Sequence, residues 1–254
     1  MKHAKQAYIL CSNPRSGTTL LCDLLSQTGI AGRPNSFFRE KSLEDWCEDW
    51  GVDGPIDLNN REFSDRYFRA MYQEGLGGTA TFGLRLMGPD LRLACDWTRR
   101  YFPETKSDLA AFKAMFGEVR FIHLVREDKL AEAVSYIRAE QTGLWHGLPD
   151  GTALEEMPIE RPDGYDEQAI TERMENLREF DVAWERWFRE QGITPLRITY
   201  DALSKAPQNV LGDVLSFVGL EPSCAKDIRP GVRKLADATN AVWIKRYRAR
   251  HPDR

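Results

Sequence analysis

Residues 8 to 25, YILCSNPRSGTTLLCDLL, run an apolar segment directly into a small polar loop and out again at helical spacing. A strand that ends in such a loop and resumes as a helix gathers the loop's free amides and the helix's positive end at one point, where an anion binds. Within SNPRSGTT, Pro14 fixes one backbone angle, Gly17 permits close approach, and Ser16, Thr18 and Thr19 bring hydroxyls. The pattern G-x-x-x-x-G-K-[ST] is absent, because the loop holds one glycine and no lysine, which speaks against magnesium-bound triphosphate. Arg15 stands there instead, and its planar fork of donors suits phosphate or sulfuryl oxygens without a metal. An ordinary strand-to-helix turn with a solvated arginine is the plainer alternative.

Further apolar runs alternate with stretches of helical period. Strands are expected at Ala7 to Cys11, Thr81 to Met87, Val119 to Val125 and Pro195 to Thr199, and the longest helix at Asp166 to Gln191, with Ile170, Met174, Leu177, Phe180, Val182, Trp184 and Trp187 on its buried side. Strand followed by helix, several times over, predicts an α/β fold: one P-loop-like domain over residues 1–254, its central, mostly parallel sheet flanked by helices. Ligands of such sheets sit at the strands' carboxyl ends. Residues 147–164 carry three prolines and three glycines and are expected to form a loop, serving as a lid or a dimer contact.

With 42% hydrophobic and 29% charged residues the chain should fold alone, and its formal charge of -4 argues against a nucleic-acid partner. No segment approaches the ~20 apolar residues of a membrane span, and the amino-terminal apolar stretch is too short for a signal peptide, so a cytoplasmic protein without an integral membrane segment is expected. Five scattered cysteines predict reduced, mostly buried thiols, with neither disulfides nor a metal site.

A second anion cradle follows VRFIHLV. Arg126 ends that strand, and Ser135 lies about two turns into the next helix, roughly 10 Å along its axis, so the two can pinch one phosphate. NPRSGTTLL, VREDKLAEAVSY and LRITYDALSKAPQNVLGDVLSFVGLEP resemble the sulfotransferase superfamily. TGIAGRPNSFF, AVSYIRAEQTGLWHG and ADATNAVWIKRYRA narrow the likeness to the bacterial trehalose 2-sulfotransferase family, whose relatives include lipopolysaccharide sulfotransferases. The resemblance implies a single sulfotransferase-like domain, a homodimer, and transfer of a sulfuryl group from 3′-phosphoadenosine 5′-phosphosulfate (PAPS) to a carbohydrate or glycan-like hydroxyl. It also implies that Pro14, Arg15, Ser16, Gly17, Thr18 and Thr19 hold the 5′-phosphosulfate. Arg126 and Ser135 would hold the 3′-phosphate, with Arg233 in a basic loop covering it.

The motif GRPNSFFRE departs from that family, which carries a glutamate, taken as its base, where this chain has Ser36. Candidate catalytic groups are therefore Arg15, Ser36 and Glu40, the nearest carboxylate, with Arg33, Arg39 and Arg85 as candidate acceptor contacts. His123 and His146 are read as core residues with a catalytic alternative, and Trp46 and Trp50 as core with a sugar platform as the alternative. The helix from Asn240 onward reads as a solvated cationic end. Two other functions stay open: a small-molecule kinase or other P-loop nucleotide enzyme, and a catalytically weak PAPS-binding protein.

Overall fold

The computed structural model describes residues 4–147, 152–231 and 238–252. Strands β1 (Gln6–Ser12), β2 (Thr81–Met87), β3 (Val119–Val125) and β6 (Leu196–Thr199) form a parallel sheet in the order β2-β1-β3-β6. All four match the expected strands to within a residue at each end. The pleat sorts the side chains of β1: Ala7, Ile9 and Cys11 join one buried cluster, Tyr8 and Leu10 the other. On the first face lie α2 (Leu43–Trp50), α3 (Arg61–Leu76), α4 (Leu91–Tyr101) and α5 (Asp108–Phe116), and on the second α1 (Thr18–Gln27), α8 (Tyr200–Lys205) and α9 (Pro207–Val218). The chain leaves β1 for β2 on one side and crosses back to β3 on the other. The strand order therefore reverses beside β1, and a crevice opens between the carboxyl ends of β1 and β3.

Helix α6 (Lys129–Thr142) follows β3, and α7 (Glu167–Gln191) packs along it. Asp166 is the cap of α7, accepting from the Ala169 amide at 2.9 Å, so the helix starts one residue later than expected. Trp184 and Trp187 are buried as expected, but Val182 is 64% exposed, because it falls on the face of α7 opposite them.

Residues 147–164 are not simply a loop. They take in the end of β4 (Leu144–Gly147) and β5 (Ala153–Glu156), which pair antiparallel; residues 148–151 lie outside the described set. Beyond β5 the chain is tied to α6, where buried Glu140 binds Arg161 at 2.5 Å and Arg173 of α7 at 3.3 Å. The terminal helix α10 (Ala238–Arg250) is not a solvated end either: Trp243 and Tyr247 are buried against α6 and α7. All five cysteines are free thiols, four of them buried. No helix among the described residues is long and apolar enough to cross a membrane.

Candidate active site

The loop between β1 and α1 turns on two left-handed residues, Arg15 at φ 70° and Gly17 at φ 93°. Glycine takes that conformation freely, whereas for Arg15 it costs about 1 kcal/mol. A Cβ at Gly17 would lie 2.7 Å from Cδ2 of Tyr200, so a bare Cα lets this ring close over the loop. Gly17 is also the cap of α1 and gives it no side-chain acceptor, unlike Asn60 on α3, Ser107 on α5 and Asp128 on α6. The first amides of α1 thus keep their donors for something other than a cap.

The loop is braced from behind. Ser16 is buried and its hydroxyl donates to the Asn13 carbonyl at 2.6 Å, so its side chain serves the loop and does not line the cavity. Asn13 Nδ2 donates to Asp181 of α7 at 2.6 Å; Asp181 binds Lys129 at 2.7 Å, and Lys129 binds buried Glu132 at 2.8 Å. Burial pushes the Glu132 carboxyl up to about 7 against the pull of Lys129. Trp184 Nε1 adds a bond to the Ser12 carbonyl at 3.2 Å.

A cavity of about 560 Å³ opens in front of the loop at the carboxyl ends of the strands. One wall carries Pro14, Arg15, Gly17 and Thr18 together with Arg126, Ser135 and Tyr200. Arg15 Nε donates to Ser135 Oγ at 3.1 Å and its Nη1 to the Trp145 carbonyl. Arg126 Nη1 donates to the Arg15 carbonyl at 3.1 Å while its guanidinium lies 4.5 Å from the Tyr200 ring centre. The two anion cradles read from the sequence are therefore neighbours in space.

The opposite wall carries Ser36, Arg39, Glu40, Arg85 and Asp90. Arg85 is not an edge charge paired with an acid. Its fork donates to Ser36 Oγ at 2.8 Å, Thr19 Oγ1 at 3.1 Å and Asn35 Oδ1 at 3.2 Å, sewing the segment after α1 to β2. A bridge between Asn35 and Leu84 extends the seam. Trp46 and Trp50 stack at 5.0 Å behind Phe37, and Trp46 Nε1 donates to the Ser36 carbonyl, so they support this wall from the core. Thr19 Oγ1 also meets His146 Nε2 at 3.0 Å, and His146 lines the cavity. Burial, with Arg15, Arg85 and Arg39 nearby, pushes the imidazole down to about 3, so it is neutral.

Two candidates lie elsewhere. Arg33 is exposed, 3.9 Å from Glu74, and does not line the cavity. His123 is buried 5.1 Å from the Phe188 ring and belongs to the core; burial pushes it down to about 4. Arg233 lies outside the described residues. Sequence reasoning missed Tyr200, Trp145 and Asp90; Tyr200 and Asp90 follow strands directly, where the carboxyl-end rule could have found them. Among the described residues, five cationic side chains and two carboxylates line the cavity, so a chain of net charge -4 presents a positive site.

Such a site can hold a ligand with two anionic groups and place a third component against Arg85. The chain resembles known proteins over nearly its full length. The trehalose 2-sulfotransferase of Mycobacterium tuberculosis is 29% identical, with 99% of this chain and 98% of the relative covered; that of Mycolicibacterium smegmatis is 28% identical, covering 95% and 94%. Among solved structures, the sulfotransferase domain from the curacin biosynthetic pathway matches at 16% identity and a TM-score of 0.45, covering 95% of this chain and 83% of that one. A sulfotransferase from Alicyclobacillus acidocaldarius matches at 13% identity and 0.46, covering 97% and 95%. The sequence profile of the Stf0 sulphotransferases matches residues 7–250, and the chain belongs to that family.

Proposed function

We propose that the protein transfers a sulfuryl group from PAPS to a hydroxyl of a carbohydrate, with trehalose as the first acceptor to try. The observation that carries this reading is the meeting of Arg15 and its loop with Arg126 and Ser135 on one wall, facing Ser36 and Arg85 across the cavity. Trehalose is suggested by the names of the two mycobacterial relatives. The donor set fits such a ligand: cations predominate, and the loop leaves the amides of α1 without a side-chain cap beneath the Tyr200 ring.

In this reading PAPS, when bound, supplies the sulfuryl group and a phosphate leaving group. The loop amides, Arg15, Thr18 and Thr19 grip the 5′-phosphosulfate and hold charge as it develops on the leaving oxygen. Arg126 and Ser135 grip the 3′-phosphate, a task in which Arg233 would join. Because Ser135 Oγ is already held by Arg15 Nε, filling one cradle is felt in the other. Arg85, anchored at three points, fixes the wall against which the acceptor rests, with Arg39 beside it. We extend the reading to one sulfotransferase-like domain over residues 1–254, acting as a homodimer in the cytoplasm, with 147–164 as lid or dimer contact. Trp145 and His146, which immediately precede that segment, line the cavity.

The test begins with thermal shift: 3′-phosphoadenosine 5′-phosphate (PAP) should raise the midpoint, and ATP with magnesium should not. Incubation with PAPS and trehalose, followed by mass spectrometry, should then give a sulfated sugar. Stabilisation by ATP with magnesium alone would favour a kinase. PAP binding without sulfation of trehalose or of any sugar in a host extract would favour the catalytically weak binder that Ser36 suggests.

A further inference from the structure

We propose that Asp90 is the general base that takes the proton from the acceptor hydroxyl; the assignment rests on the sulfuryl-transfer reading above. Transfer to an alcohol needs a proton acceptor within reach of the attacking oxygen. Of the groups lining the cavity, three could serve: Glu40, His146 and Asp90. Ser36 Oγ accepts from Arg85 and has no basicity to offer near neutral pH. His146 shares its Nε2 with Thr19, and three guanidinium groups oppose its charged form. Glu40 is an exposed residue opening a short helix, where water competes for its carboxylate.

Asp90 differs from both. It ends the turn Gly88–Asp90, directly after β2, on the same wall as Arg85 and Ser36. It stands at the cap position of α4 without making a capping bond, and its carboxylate makes no hydrogen bond or ion pair among the described residues. It is half-buried, so this carboxylate has lost part of its water without gaining a hydrogen-bond partner among the described residues, an arrangement that a ligand hydroxyl would satisfy. The turn is rigidly placed. A Cβ at Gly88 would lie 2.5 Å from Oδ1 of Asn13 and 3.0 Å from Cβ of Phe180, so the turn is pressed between the donor loop and α7. Arg39, Glu40 and Arg85 are the charged groups that face Asp90; α7 meets the turn through Phe180, and Arg92 of α4 pairs with Asp96. Burial, with a small push from Glu40, raises the carboxyl to about 6 against the pull of Arg39 and Arg85, which suits a base working near neutrality.

The step balances. The acceptor oxygen forms its bond to sulfur as the bond between sulfur and the phosphate oxygen breaks; that electron pair leaves on the phosphate, and the hydroxyl proton passes to Oδ of Asp90.

The experiment measures transfer from PAPS to trehalose between pH 5 and 9 in wild type, Asp90→Asn and Glu40→Gln, with PAP binding measured alongside. Asp90→Asn should lower kcat about a hundredfold or more, remove the acidic limb near pH 6, and leave PAP affinity within about threefold. Asp90→Glu should recover part of the rate, and Glu40→Gln should keep the acidic limb, moved slightly to lower pH as its push on Asp90 is lost. A wild-type rate and limb in Asp90→Asn overturns the assignment while leaving sulfuryl transfer intact, whereas a wild type that neither binds PAP nor turns over defeats the function on which it rests. If trehalose is not the acceptor or Asp90→Asn does not fold, carboxyl carbon resonances of wild type and Asp90→Glu decide. An aspartate resonance missing from the variant and titrating near pH 6 supports the proposal, and one titrating in the ordinary carboxylate range overturns it.

Discussion

Arg126 Nη1 donates to the backbone carbonyl of Arg15 across 3.1 Å, so the residue that follows β3 braces the loop that follows β1. Beside this bracing role, the proposed function gives Arg126 a second, and a single substitution exposes both together. Arg126→Ala should weaken PAP binding roughly tenfold to a hundredfold, the equivalent of about 1.5–3 kcal/mol for a charge-assisted contact. It should also lower the melting midpoint by a few degrees, since the bond to Arg15 and the stack on Tyr200 go with it. Adenosine 5′-phosphosulfate, which lacks the 3′-phosphate, should bind both proteins about equally poorly. Calorimetric titration that finds equal PAP affinity in the two would remove Arg126 from the donor site.

Arg15 and Ser36 should separate in kinetics. Arg15→Ala removes charge stabilisation at the leaving phosphate and should lower kcat ~10²-fold or more. Ser36→Ala should lower it by less than about tenfold, because the hydroxyl only accepts from Arg85 Nε and orients that side chain. Single-turnover rates that place Ser36→Ala below Arg15→Ala would reverse the ranking.

Gly17→Ala puts a methyl 2.7 Å from Tyr200 Cδ2 at a φ of 93°. The expected result is a loss of about 1–3 kcal/mol in unfolding free energy together with weakened PAP binding. Tyr200→Ala in the same chain should recover part of the stability but not the affinity, as read by urea titration and thermal shift.

His123 predicts a pH dependence with a definite sign. Its folded value, pushed down to about 4, lies below the ordinary imidazole value near 6.5, so the unfolded chain binds more protons between them. Its contribution is complete above about pH 6.5 and is lost as pH falls towards 4, on the order of 3 kcal/mol. Raised Glu132 and Asp90 act in the opposite direction, losing stability as pH rises through the same range. The measurement is therefore the difference between wild type and His123→Phe, which fits the ring cluster beside Phe188; that difference should shift in favour of the variant as pH is lowered from 6.5 to 4.5.

Much of this was legible in the sequence because continuous apolar runs such as VRFIHLV leave a buried strand few alternatives, and because Arg126 follows such a strand immediately and Arg15 follows one within three residues. What was not legible depends on distant pieces of chain. Arg85 reads as a charge near a strand end, and only the fold shows that its partners are Ser36, Thr19 and Asn35. Val182 reads as core by its type, but the helix phase set by Trp184 and Trp187 turns it outward. Ser16 reads as a donor to an anion until the tight turn directs its hydroxyl to Asn13. Asp90 lies just past a strand's carboxyl end, but that signal is masked because an aspartate before a helix is normally its cap.

The order β2-β1-β3-β6 also divides labour along the sheet. The groups proposed to grip the donor follow β1 and β3, whereas Ser36, Arg39 and Arg85 ride on β2 and the segment joined to it at Asn35 and Leu84. The two halves meet at one hinge of polarity, where Arg85 reaches Thr19. A descendant of this chain could therefore change its customer while keeping its supplier: rewriting residues 33–40 and the turn after β2 would retarget the enzyme without disturbing the loop that grips the donor. A chimera exchanging only that wall between two relatives should inherit its acceptor preference from the grafted segment and its PAP affinity from the host.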